Sequence, residues 1–214
     1  MYSPLAQRFS ADHRACVEVY YQSEVFDYAY TDMSNAGLDF YVKQPQLRSR
    51  LGQEKLDFHS YDEMHAFMEE AEAAKLAALK ADDPIIWVVF GDHSGYWIDF
   101  KETSDPMPQF SDSWVTGFCV AKRKIWDLYW QGKRPCTKDT VMEFLQEWKP
   151  YLTEDLNGSL CEWRYCGGMD EDDYWSDGYL GVDEALNAAL SEHPECRYKE
   201  SDFDKIVKYR LKAA

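Results

Sequence analysis

At 214 residues, with 45% hydrophobic and 16% aromatic composition, the chain can bury one substantial core, or a main domain with a smaller N-terminal one. Its 39 acidic and 23 basic residues leave a formal charge of -16. That charge disfavours nucleic acid and anionic membrane as direct ligands, since both are repelled over a Debye length of about 10 Å, and it favours a basic protein partner.

The first 60 residues carry the weakest periodicity. Cys16 to Tyr30 fits a helical stripe (Val17, Tyr20, Tyr21, Val25, Tyr28) about as well as strand alternation, and helix is the reading taken. LDFYVKQ after Gly37 reads as a short strand stopped by Pro45. Ser60 and Glu63 then form a capping box for a helix from about Tyr61 to Ala81. Met64, Phe67, Met68, Ala71 and Leu79 make its apolar stripe, and Glu69, Glu70 and Glu72 face solvent.

Ile85 to Phe90, the loop Gly91-Asp92-His93-Ser94-Gly95 and the alternating Tyr96 to Phe100 predict a β-hairpin. Val115 to Ala121 reads as a third strand, with helix as the alternative, and leads into a helix from Lys122 to Trp130 closed by Gly132. Thr137 caps the next helix, which Pro150 kinks or ends, and Asn157-Gly158 turns the chain into a strand from Ser159 to Cys166. A fifth strand, Tyr174 to Leu180, precedes helices at Val182 to Glu192 and Phe203 to Leu211. The sum is an α+β fold: an antiparallel sheet of about five strands with helices on one face, residues 85–214, after a mainly helical N-terminal region, residues 1–84.

The six cysteines are scattered, with no CxxC pair and no His at zinc-finger spacing, so free and mostly buried thiols are expected. The N-terminus lacks the basic region and apolar run of a signal peptide, and no stretch approaches the ~20 apolar residues of a membrane span. A reducing cytoplasm follows. Were the protein exported, Cys161 and Cys166 would be the pair to test for a disulfide.

Asp92, His93 and Ser94, with Asp112 and Ser113, are the one cluster resembling nucleophile, base and orienting acid. A loop of that composition is also ordinary hairpin chemistry, because Asp and Ser bond local amides and Gly supplies positive φ. Asp92, His93, Asp112 and Asp177 carry hard ligand atoms, but no short spacing forces them together, so no metal and no cofactor is expected. Gly167-Gly168 is followed by acids, which repel phosphate rather than cradle it.

The charge pattern is more informative. Glu143 to Glu184 holds twelve carboxylates against two cations, Lys149 and Arg164, together with Trp148, Tyr151, Trp163, Tyr165, Tyr174, Trp175 and Tyr179. Disordered acidic tails lack aromatics, so this segment should fold and hold its negative charge in fixed geometry. Glu154, Asp155, Glu162, Asp170, Glu171, Asp172, Asp173 and Asp177 are the expected partner-binding carboxylates, with Trp175 as an aromatic anchor. Just before them, Lys122, Arg123, Lys124, Lys133, Arg134 and Lys138 form a basic stretch that reads either as half of an internal salt-bridge layer or as a homodimer patch.

Gly91-Asp92-His93-Ser94-Gly95, Asp112-Ser113 with Gly117-Phe118, Leu145 and Glu147 before Tyr151-Leu152, and Asn157-Gly158 occur in that order. They resemble a widespread group of uncharacterised proteins of phages, plasmids and conjugative elements whose pieces read DHSG, DSGxxGF, YLxGxVYGF and DSCWGFYG. The likeness spans roughly Ile85 to Leu190; Trp114, the insertion Glu154-Asp155-Leu156 and Ser176-Asp177-Gly178-Tyr179 depart from it. It implies an accessory, anti-defence role on mobile DNA. The resulting expectation is a non-enzymatic protein that inhibits a host nucleic-acid-handling complex, a CRISPR effector or restriction enzyme, by imitating nucleic acid. A small hydrolase or metal-dependent enzyme on the Asp92-His93-Ser94 loop, and a structural assembly protein, are the alternatives.

Overall fold

The structure, a computed structural model, describes residues 3–12, 14–22, 27–53, 57–92, 94–104, 112–167 and 174–203. Its strands and helices run β1 Ala6–Phe9, β2 Cys16–Tyr21, α1 Asp27–Asn35, β3 Leu38–Val42, α2 Pro45–Arg50, α3 Tyr61–Ala81, β4 Ile85–Gly91, β5 Trp97–Lys101, β6 Ser113–Ala121, α4 Arg123–Trp130, α5 Lys138–Leu156, β7 Cys161–Cys166, β8 Tyr174–Tyr179 and α6 Val182–Glu192. They form two antiparallel four-stranded sheets, ordered β1-β2-β7-β8 and β3-β6-β4-β5. The α+β class is as expected, while the strands divide between two sheets instead of one sheet of about five.

The chain separates into two compact units, one from Met1–Glu24 with Gly158–Ala214 and the other from Val25–Asn157. This division crosses the expected boundary near residue 84. The N-terminal segment supplies β1 and β2 where a helix was expected. Val17 and Val19 are two residues apart and both fully buried, while Glu18 and Tyr20 point the other way. A two-residue period suits a strand.

In the first unit β2 pairs with β7 so that Val17 opposes Tyr165 and Val19 opposes Trp163. Val17, Val19, Cys161 and Trp163 pack against Ala185, Leu186 and Ala189 of α6 and against Cys196. The Trp163 indole N–H donates to Tyr179 Oη at 3.1 Å, so this large buried ring leaves no unpaired donor.

In the second unit β4 is buried on both faces, which explains its unbroken apolar run. Ile85, Phe118 and Val120 meet Ala71 and Ala78 of α3 on one face. The alternate residues Ile86, Val88 and Phe90 are also buried, and α5 packs on β4 and β5 through an inner face that includes Val141, Phe144, Leu145 and Leu152. Helices therefore cover this sheet on both faces rather than one.

Two helices depart from their expected faces or ends. α3 has the expected bounds and cap, Ser60 Oγ accepting from the Glu63 N–H at 3.2 Å, but Met64, Met68 and Leu79 are 43%, 42% and 63% exposed. It rests on the sheet through two alanines seven residues apart. Their small side chains bring the helix close and leave the larger stripe residues at the flank. α5 continues through Pro150 to Leu156, because Leu145 before the proline and Leu152 after it share a buried face. Among the described residues no helix is long and apolar enough to cross a membrane.

Candidate functional site

The Asp92–Ser94 loop joins β4 to β5. The Asp92 N–H donates to the Asp112 carbonyl at 3.1 Å, which brings the two aspartates together at the exposed end of the hairpin. Ser94 and Gly95 have φ of 59° and 130°, and the Asn157 side chain brackets Tyr96, accepting from its N–H at 2.8 Å and donating to its carbonyl at 2.7 Å. Ser113 is buried at the start of β6, and His93 lies outside the described residues. Among the described residues no group of three or more His, Cys, Asp or Glu side chains converges as a metal site would require.

Half of the basic stretch is paired within its own unit. Lys122 Nζ lies 2.5 Å from Asp39 Oδ2, and that hydrogen bond raises the Lys122 pKa against the opposing effect of burial. Arg123 Nη1 donates to the Cys136 carbonyl at 2.9 Å, its Nη2 approaches Asp82 Oδ2 at 3.4 Å, and its backbone N–H is accepted by Asp83 Oδ1 at 3.1 Å. Arg134 pairs with Glu147 at 2.5 Å and lies over the Trp130 ring at 5.0 Å. Lys124, Lys133 and Lys138 are exposed. Lys122, Arg123 and Arg134 thus follow the salt-bridge reading of this stretch.

Two of the expected partner-binding carboxylates are buried against cations of their own unit. Asp155, only 6% exposed, is turned toward the core side of α5 and accepts from Arg50 Nε at 3.0 Å. Glu162, 4% exposed on β7, accepts from Arg164 Nε at 2.9 Å and Nη2 at 2.5 Å. Both are corrections to the expected face, because a buried carboxylate needs its own cation and has little charge left to offer. Glu154 belongs to the second unit, whereas Glu162, Trp175 and Asp177 belong to the first. Glu154 and Asp177 are half-buried, and Trp175 is 56% exposed, opposite Arg164 in the β7–β8 register. Asp170, Glu171, Asp172 and Asp173 lie outside the described residues.

A second acidic surface lies along α3, outside the Glu143–Glu184 segment. Along α3, Asp62, Glu69, Glu70 and Glu72 are exposed beside Tyr61, Met64, Met68, Leu76 and Leu79, which are exposed as well. The signal was present in the sequence: apolar residues occur around more of this helix than one core-facing stripe can use. At the N-terminal end of α3 lies a cleft of about 600 Å³, rimmed by Asp62, Glu63 and Glu70 and walled by Tyr41, Phe58 and Phe67. The buried Arg48 also lines it, its guanidinium 4.6 and 4.8 Å from the centroids of the touching Phe58 and Phe67 rings and donating to the Val42 carbonyl at 2.9 Å. Burial lowers the Arg48 pKa, and the charges of Asp57 and Glu70 oppose that. Carboxylates, apolar side chains and a walled recess in one place suit a basic, partly apolar protein surface. No family model, curated protein or solved structure matches this chain.

Proposed function

We propose that this protein is a non-enzymatic, acidic inhibitor that acts in the cytoplasm of a host cell by binding a basic, nucleic-acid-handling defence complex such as a CRISPR effector or a restriction enzyme. One observation carries the reading: Lys122, Arg123 and Arg134 pair with Asp39, Asp82 and Glu147 of their own unit, while Asp62, Glu69, Glu70 and Glu72 of α3 stay exposed beside apolar anchors, Glu72 2.8 Å from Lys75 Nζ and Glu69 3.5 Å from His65 Nδ1. Arg134 offsets Glu147 of the acidic segment that follows it, whereas the pairs made by Lys122 and Arg123 leave the α3 carboxylates exposed. A partner that places lysines and arginines against α3 gains from charge pairing, and Tyr61, Met68 and Leu79 add apolar burial that salt does not screen. The resemblance to proteins of mobile elements supports the class of partner, and the six unbridged cysteines support a reducing compartment.

The test is a binding panel of such complexes at low and high salt. Wild-type protein should bind at least one, with affinity falling as salt rises. Joint Glu69→Gln, Glu70→Gln and Glu72→Gln substitution and neutralisation of Asp170 to Asp173 distinguish the α3 surface from the β7–β8 connection. Binding to no complex, or binding indifferent to both sets of substitutions, overturns the proposal.

A further inference from the structure

Cys16 and Cys166 stand directly opposite one another where β2 pairs with β7. The Gln22 N–H donates to the Leu160 carbonyl at 2.8 Å, and counting back along the ladder in steps of two makes 16 and 166 a hydrogen-bonded pair of the same kind. Such pairs have Cα atoms about 5.5 Å apart, inside the roughly 4.4–6.8 Å that a disulfide spans. Cβ atoms in this arrangement stand somewhat farther apart than a relaxed disulfide prefers, so the bond would be strained and easily reduced.

Burial singles out the same two residues. Cys119, Cys136, Cys161 and Cys196 are buried, whereas Cys16 and Cys166 are only half-buried. Burial pushes the Cys136 and Cys196 thiols up to about 11 and Cys119 further still, and burial with the Glu18 charge raises the Cys16 thiol as well. Cys161 and Cys166, the pair singled out from sequence, are five residues apart on one strand, about 16 Å, and face opposite sides of the sheet.

The position matters for the unit it belongs to. Met1–Glu24 and Gly158–Ala214 reach this unit from opposite ends of the chain, and β2–β7 is the seam where they pair. We propose that Cys16 and Cys166 are a thiol–disulfide exchange site whose co-substrate is a small disulfide of the glutathione class, and that the product is a reversible staple between β2 and β7. One cysteine thiolate attacks the small disulfide, a mixed disulfide forms and one small thiolate leaves. The other cysteine sulfur attacks the mixed disulfide, the protein S–S bond forms and the second small thiolate leaves. The two protons lost by the cysteines are taken up by the departing thiolates. Two protein thiols are oxidised and one small disulfide is reduced to two thiols. The Cys166 thiol donates to Glu18 Oε2 at 3.9 Å, and a carboxylate beside the pair slows exchange by disfavouring the attacking thiolate.

Folded protein is incubated with oxidised glutathione, the excess is removed, and digestion without reduction is followed by mass spectrometry. The expected product is a cross-linked peptide joining Cys16 to Cys166, with an intact mass lower by two hydrogens. Four thiols should remain alkylatable after denaturation, the six of the chain less the two joined. The oxidised protein should melt at a higher temperature, and dithiothreitol should remove the difference. Cys16→Ser should stop at a mixed disulfide on Cys166. Glutathione adducts on both cysteines of the wild type, a cross-link involving any other cysteine, or unmodified thiols in the folded protein would each overturn the proposal.

Discussion

Lys149 of α5 and Asp99 of β5 form an ion pair at 2.7 Å, and with Arg164 held by Glu162 both cations of the acidic segment are spent inside the fold. Burial by itself would raise the Asp99 pKa. The Lys149 hydrogen bond, the Phe100 amide and the Lys149 charge outweigh it and hold the carboxyl below its usual range. A carboxyl depressed in the folded state contributes stability that is complete above the unfolded value, near pH 4, and is lost as pH falls through the folded value. Lys149→Met should therefore cost about 1 kcal/mol at neutral pH, kept small because both partners are about a third exposed, and should cost little near pH 2. Urea melts across that range measure it. An equal loss at both ends would show that the lysine acts through packing alone.

Arg50 and Asp155 should respond unequally to substitution. The Asp155 side chain is 7% exposed and that of Arg50 is 24% exposed. Arg50→Met removes the cation beside a buried carboxylate, and a loss of about 3 kcal/mol is expected. Asp155→Asn keeps hydrogen-bonding atoms and leaves a guanidinium that can turn toward water, so its cost should be smaller, about 1 kcal/mol. Chemical denaturation of both variants tests the order. Asp155→Asn should also leave partner binding unchanged, because this carboxylate faces the core.

These pairs show why parts of the molecule were legible in the sequence and parts were not. The bounds of α3 and α6 follow from neighbouring residues: Ser60 caps the first, and Pro194 stands just beyond the end of the second. The helical reading of β2 fails because β7, which flanks it opposite β1, lies some 145 residues away, and short apolar runs need their partners to choose between periods. The two sheets were merged for a related reason. The chain leaves the first unit after Glu24 and re-enters it at Gly158, and no change of composition marks either crossing. Among the site residues, Asp155 looked like a surface acid because Arg50, which neutralises it, is 105 positions away. The exposed acids of α3 were read correctly, but its exposed methionines were assigned to the core. A helical stripe states which residues share a face, not how closely that face approaches the sheet.

Gly117 is required by backbone proximity rather than by its own dihedral angles. It opposes Val42 in the β3–β6 register, and a Cβ at this position would collide with the backbone carbonyl of Tyr41. Backbone cannot rotate aside as a side chain can, so Gly117→Ala must displace β3 from β6. The expected loss is at least about 3 kcal/mol, with reduced strand signal in circular dichroism. A neutral Gly117→Ala substitution would contradict the packing of these two strands.

Gln131 offers the opposite kind of test, a substitution that should stabilise. It closes α4 in the left-handed conformation with φ of 51°, its N–H bonded to the Asp127 carbonyl, and Gly132 follows with φ of 73°. A side chain at this dihedral crowds its own backbone, while glycine adopts it freely. Glycine also widens the conformational range of the unfolded chain, which offsets part of the gain. The relief is the larger effect where the exposed Gln131 side chain packs against little. Gln131→Gly should therefore raise unfolding stability by about 0.5–1 kcal/mol, seen as a higher denaturant midpoint at unchanged slope. Gln131→Val should lower it, because a β-branched side chain tolerates this dihedral least.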